Sequence, residues 1–179
     1  YKTAMSDKVR LNLSLASNAA SEDERFILNN IHCGLFKYNE NGKFQGELAE
    51  SWESRDSGKL YEIKIKDGFY DSKGNSVDAN YVVEAMKDLL KRSLSVESNF
   101  DFSVYENIKG FKECREKKNC RIPGVYSENK TLYLEFLNES QRVLDGFVKN
   151  LFPIYKIDVS GLPITCGEYS IARYTEKEI

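Results

Sequence analysis

Between Gly46 and Met86 the hydrophobic period changes once, and two glycine turns mark the change: "GELAESWESRDSGKLYEIKIKDGFYDSKGNSVDANYVVEAM". Tyr61, Ile63 and Ile65 alternate with Glu62, Lys64 and Lys66, the pattern of a strand with one buried face. Asp67-Gly68 stops it. From about Asp78 to Arg92 the apolar residues return at helical spacing, with Val82, Met86, Leu89 and Leu90 on one face and Val83 beside them. A short corner carrying Trp52 precedes strand and helix.

The rest of the chain alternates helix and strand signals without a strict rhythm. Val9, Leu11, Leu13 and Leu15 alternate with polar residues and predict a strand. Ser21 and Glu24 have capping-box spacing, and Phe26, Ile27, Asn30, Ile31 and Gly34 follow at helical intervals, so a helix should end near Gly34. "LFKYNENGKFQG" reads as a hairpin turning at Asn41-Gly42. A loop with a short helix is expected between Ser93 and Lys118. "GVYSENKTLYLEFL" predicts a second hairpin, turning at Glu128-Asn129-Lys130 with Leu132, Leu134 and Phe136 inward. Ser140 then caps a last helix whose stripe is Val143, Leu144, Phe147, Val148 and Leu151, and "FPIYKI" and "GEYSIARYT" read as strands. The expected class is α+β, a mixed α/β globular domain.

Charge narrows the function. The 179 residues hold 26 basic and 28 acidic side chains, a balance that gives no electrostatic case for nucleic acid or an anionic membrane. No apolar run approaches the ~18 residues of a membrane span. With 41% hydrophobic residues the chain can bury a proper core. It starts YKTAMSDKV without an initiator Met, which leaves room for an N-terminal segment already removed.

Catalytic chemistry finds little to use. His32 is the one histidine and sits next to Cys33; neighbouring helix positions diverge by about 100°, so a packed core histidine is the simpler reading than a dyad. A Ser-His-Asp triad has no histidine to spare, and phosphate-cradling glycine loops are absent. Glu22, Asp23 and Glu24 suit a solvated helix start; Asp71 and Asp78 suit a turn and a cap. No enzyme activity, cofactor or metal is expected. Cys114 and Cys120, in "ECREKKNC", fit no common zinc spacing and predict a small disulfide loop in an oxidising compartment, with free thiols the alternative. Cys33 and Cys166 are either a second bridge or two buried thiols.

Five motifs in order give the chain a resemblance. "GELAESWE" resembles the Pro-x-Leu-Ala-Glu-Ser-Trp corner of the extracytoplasmic solute-binding proteins of the peptide/nickel family, the oligopeptide- and dipeptide-binding proteins of ABC importers. "LYEIKIKDGFYDSKGNSVDANYVVEAM" is similar to their strand, paired glycine turns and helix. "LNNIHCGLFKYNENGKFQG" is similar to their helix and Tyr-Glu-Gly-Leu turn, "NKTLYLEFLNESQRVLDGFVKNLFPIYK" to their strand, helix and Pro-containing strand, and "ITCGEYSI" to their Gly-Thr-Gly-Pro-Tyr entry. Departures include Asp71 and Lys73 for an aromatic and an Asp, Ser76 for Pro, and Cys166 and Glu168 for Thr and Pro.

The resemblance implies the first lobe of a periplasmic-binding-protein-like fold, with core segments 1–50 and 153–179 and a small subdomain inserted at about 51–152. Trp52 would anchor the corner, the Tyr61–Ile65 strand would pack beneath the Val82–Leu90 helix, and segments 9–49 and 153–174 would meet in the lobe's own sheet. It implies a peptide or other small solute as ligand, ABC permease subunits as partners, and the periplasmic or extracellular face of a bacterial membrane. Family members are much longer, so the chain is expected to be a fragment or a one-lobe relative that binds weakly alone. By position, Ala20, Ser21 and Glu22 would run alongside a bound peptide, unless Ser21 is only a cap. Phe100, Phe102 and Tyr105 would lie at the cleft rim, unless they pack locally. A sensor or interaction domain reusing such a lobe is the second reading.

Overall fold

Residue-by-residue pairing explains why the 46–86 stretch folds as it does. The computed structural model describes residues 22–93, 105–116, 121–139, 143–149, 151–159 and 161–170. In chain order the elements are α1 (Glu22–Ile31), β1 (Phe36–Tyr38), β2 (Phe44–Gly46), β3 (Ala49–Arg55), β4 (Leu60–Ile65), α2 (Ala79–Ser93), α3 (Phe111–Glu116), β5 (Val125–Glu128), β6 (Thr131–Glu135), β7 (Lys156–Ile157) and β8 (Pro163–Ile164). Four strands form one antiparallel sheet in the order β3-β4-β6-β5. The class is therefore α+β, as expected.

Directly opposed residues in antiparallel strands share a face. Trp52 lies opposite Ile63 and Ile63 opposite Leu132, while Tyr61 lies opposite Leu134 and Leu134 opposite Val125. That face is the apolar one. α2 packs over its β5–β6 side, and Val82, Met86, Leu89 and Leu90 are all buried. Each such side chain contributes about 1.5–3 kcal/mol on full burial. Asp78 starts the helix by accepting the Tyr81 N–H at 2.8 Å, the capping role its position predicted. The opposite face is polar, with Tyr126 and Tyr133 stacked at 4.9 Å.

The segment read as a corner is a strand. Glu50–Arg55 are exposed throughout, because β3 is the outer strand of the sheet and shows no apolar alternation to read. The bend itself lies at Gly46–Leu48, and a register shift between Ala49 and Ser51 sets Glu50 out of the ladder. Trp52 is 37% exposed; its ring is covered on the β3 side of the sheet by the β1–β2 hairpin, through Phe36 at 5.0 Å and Phe44 at 5.8 Å.

Other expectations shift by a turn or change type. α1 ends at Ile31 rather than near Gly34, and Phe26 is 61% exposed while Leu28 and Ile31 are buried. The last helix is a 3-10 turn, Val143–Phe147, because Val148 leaves it to bridge Phe36 and the Lys149 N–H bonds the Phe36 carbonyl at 2.9 Å. Leu151 is correspondingly exposed. The late strand sits at Pro163–Ile164, with bends rather than a strand at Gly167–Tyr169. The second hairpin turns at Asn129-Lys130, where Asn129 takes φ 54°, and α3 supplies the short helix expected in 93–118. The strand expected at Val9–Leu15 and the caps at Ser21 and Ser140 lie outside the described residues.

Residues around Lys156–Thr165 brace the turn at Asp71–Asn75 and the start of α2. The Ser72 N–H donates to the Thr165 carbonyl at 2.7 Å, the Thr165 N–H donates to Ser72 Oγ at 3.2 Å, and Lys73 pairs with Asp158 at 3.1 Å. Lys156 reaches Glu84 on α2 at 2.5 Å and lies over the Tyr81 ring. Asp71 holds that turn from inside: its carboxylate accepts the Lys73 N–H, the Asn75 N–H and Asn75 Nδ2. Burial raises its pKa, but those hydrogen bonds outweigh burial and hold it below the usual carboxylate value.

Candidate functional site

The chain leaves α1 through a segment fixed from three sides. Cys33 bridges Ile154 in antiparallel pairing, and the Ile154 N–H bonds the Cys33 carbonyl at 2.7 Å. Cys33 is disulfide-bonded to Cys166, with Cα atoms 5.3 Å apart, so of the two readings for this pair the bridge holds. The Gly167 N–H donates to the Ile31 carbonyl at 2.9 Å and the Tyr169 N–H to the Asn30 carbonyl at 3.0 Å. Residues 30–33 meet residues around Ile154 and Gly167–Tyr169 edge to edge. Within the described residues the meeting is one bridge, a disulfide and two end bonds rather than a continuous sheet.

Gly34 follows, where the fold requires a residue without a side chain: a Cβ would run into the Lys149 backbone. Its N–H donates to Glu47 Oε2 at 2.7 Å. The other oxygen of Glu47 lies 3.2 Å from Lys149 Nζ and 3.6 Å from Lys37 Nζ. This small charged knot is largely shielded from water, and sequence reading missed Glu47 and Lys149 altogether. Nothing local marks either residue.

His32 is a core residue, as expected. It is 2% exposed, stacks on Tyr155 at 4.6 Å, and its Nδ1 has no hydrogen-bond partner. Burial first, and the Lys149 charge second, push its pKa down to about 3. The neutral ring is therefore packing material, not an acid or base near neutral pH.

Of the residues expected at the ligand, Glu22 and Tyr105 lie among the described residues. Glu22 opens α1 and is exposed, while Ala20 and Ser21 before it lie outside the described residues. Phe100 and Phe102 also lie outside them. Tyr105 is placed in the core: it is 2% exposed, its hydroxyl donates to the Gly146 carbonyl at 2.8 Å, and its ring packs on Phe147 and Phe152. The local-packing reading is the one its surroundings match. Cys114 is disulfide-bonded, and Cys120, its expected partner, lies outside the described residues. Among the described residues no cluster of three or more His, Cys, Asp or Glu is placed to hold a metal, and no helix is long and apolar enough to cross a membrane.

No family model and no curated protein matches the chain. Solved structures do match its fold. It superposes on the pheromone receptor PrgZ with a TM-score of 0.74 at 19% identity, covering 92% of this chain and 35% of that one. Against Haemophilus influenzae OppA in complex with the peptide RPPGFSPFR the TM-score is 0.66 at 17% identity, over 79% of this chain and 29% of that one. Against Staphylococcus aureus NikA in complex with Ni(L-His)2 it is 0.64 at 17% identity, over 84% and 29%. The chain has the fold of one part of these peptide- and nickel-binding ABC proteins, and spans about a third of their length.

Proposed function

We propose that the chain is the first lobe of the solute-capturing component of an ABC importer, and that its solute is a peptide. The observation that carries this is the likeness of nearly the whole chain to the peptide-binding receptor PrgZ, with peptide-bound OppA structures sharing the fold. In this reading segments 1–50 and 153–179 form the lobe and about 51–152 its inserted subdomain. Ala20, Ser21 and Glu22 offer main-chain groups to an extended peptide, so affinity comes from backbone pairing rather than from reading side chains. Closure of a second lobe would then exclude water from the ligand before docking on permease subunits.

The buried Cys33–Cys166 bridge and the bonded Cys114 support an oxidising, extracytoplasmic setting. No reaction chemistry is proposed, because the one histidine is buried and neutral. A sensor that reuses the lobe is the second reading, favoured by the receptor role of PrgZ.

Amide NMR of the purified protein titrated in parallel with short peptides and with a nickel–histidine chelate tests the proposal. Saturable shifts are expected with the peptides and none with the chelate. Saturation by the chelate alone, or linear shifts with both, would overturn it.

A further inference from the structure

Three turns converge at one end of the four-stranded sheet: the Gly46–Leu48 bend before β3, the Asp67-Gly68 turn after β4, and the Asn129-Lys130 turn before β6. Between them is a groove of about 550 Å³ lined by Glu50, Lys64, Ile65, Lys66, Asp67 and Lys130. Three ammonium groups thus face two carboxylates. Lys64 is taken by Glu50 at 2.7 Å and Lys130 by Asp67 at 2.7 Å. Lys66 is different. Its ammonium donates to the carbonyls of Gly46 at 3.1 Å and Glu47 at 2.8 Å, and among the described residues it has no ion-pair partner.

The consequence is a positive charge that is half-buried, oriented by two main-chain acceptors, and left with one N–H donor unused. Its surroundings can adapt. Asp67 is 79% exposed and Glu50 50% exposed, so their pairs with Lys130 and Lys64 are weak surface pairs that either lysine can exchange for another acceptor. Glu50, set out of the ladder by the register shift between Ala49 and Ser51, lines the groove on that side. The chain as a whole carries net charge -2, so a locally cationic groove is not a reflection of its composition.

We propose that this groove binds a small carboxylate, held by Lys66 with Lys64 and Lys130 on either side. One uncompensated positive charge matches one carboxylate; a phosphate dianion would leave the groove negative unless Glu50 or Asp67 moved away. The site lies on the sheet end, apart from the α1 entry, and stands whether or not the solute-capture reading does.

Amide NMR titration of the oxidised chain at constant ionic strength tests it, with acetate, an N-acetyl dipeptide bearing a free C-terminus, the same dipeptide as its C-terminal amide, and inorganic phosphate, against chloride. Saturable millimolar shifts are expected at residues 46–50, 64–67 and 130 for both carboxylates, with none for the amide and weaker ones for phosphate. Saturation by acetate alone would support a small carboxylate as ligand and exclude peptide C-termini. Lys66→Met is expected to weaken acetate binding about tenfold, the loss of one charge-assisted contact, while Lys112→Met on the exposed face of α3 changes nothing. Lys130→Gln gives a smaller loss and serves should Lys66→Met not fold. Linear shifts equal to those of chloride, or unchanged affinity in both groove variants, would overturn the proposal.

Discussion

Trp52 meets Phe36 edge to face, centroids 5.0 Å apart and planes at 82°. This contact ties the outermost strand of the four-stranded sheet to a hairpin that belongs to a different sheet. Aromatic pairs of this kind contribute about 0.5–1.5 kcal/mol beyond area burial. Trp52→Ala is expected to destabilise the chain by about 2 kcal/mol, less than a fully buried tryptophan because the indole is partly exposed. Urea unfolding followed by circular dichroism checks it. A change within error would mean that the hairpin does not lean on the sheet through Trp52.

The Cys33–Cys166 bridge spans 133 residues of sequence. Chain-entropy arguments give about 5 kcal/mol for a loop of that size, and measured values commonly fall at 2–4 kcal/mol. Cys33→Ser/Cys166→Ser should therefore unfold at markedly lower denaturant. A non-reduced peptide map should find the two cysteines joined in the parent chain.

His32 makes stability depend on pH in a defined window. Its folded pKa of about 3 lies below the ordinary 6.5, so the unfolded chain takes up a proton that the folded chain refuses. Stability from this source is full above pH 6.5 and falls by about 1.4 kcal/mol per pH unit below it, until about pH 3. Asp71 adds in the same direction at lower pH, since its folded pKa is also depressed. His32→Phe, which preserves stacking on Tyr155, should flatten the slope of unfolding free energy between pH 6 and pH 4. A variant as acid-sensitive as the parent chain would contradict the assignment.

Glu47→Ala should cost about 2–3 kcal/mol, because it leaves the Gly34 N–H unpaired and Lys149 without its buried counter-charge. Glu47→Gln, which retains an acceptor for Gly34, should cost less. Equal losses in the two variants would show that the carboxylate charge, not the Gly34 bond, carries the effect.

The legible parts of this fold were those with a period. Tyr61, Ile63 and Ile65 announce β4, and Val82 to Leu90 announce α2, because one face of each must be apolar. Asp78 announces its helix because a cap has a short-range chemistry. β3 was not legible: as an outer strand exposed from Glu50 to Arg55 it needs no alternation, and only pairing with β4 makes it a strand. Val143–Leu151 has a helical stripe, yet Val148 and Lys149 are claimed by Phe36, a partner more than a hundred residues away. The Glu47–Lys149 knot was hidden for the same reason. For Tyr105 the sequence left a cleft-rim position and local packing both open; the Gly146 carbonyl that accepts its hydroxyl is not visible from residues 100–105.

A peptide held along residues 20–22 by main-chain pairing is the central element of the proposed function. Amide NMR of the chain titrated with a pool of tri- to pentapeptides tests this most directly. The prediction is weak, millimolar binding, with saturable shifts at residues 20–22 and the adjoining start of α1, and no response at these residues to free amino acids. Tight binding, shifts confined to the open face of the sheet around Tyr126 and Tyr133, or no shift at residues 20–22 at any peptide concentration would contradict it.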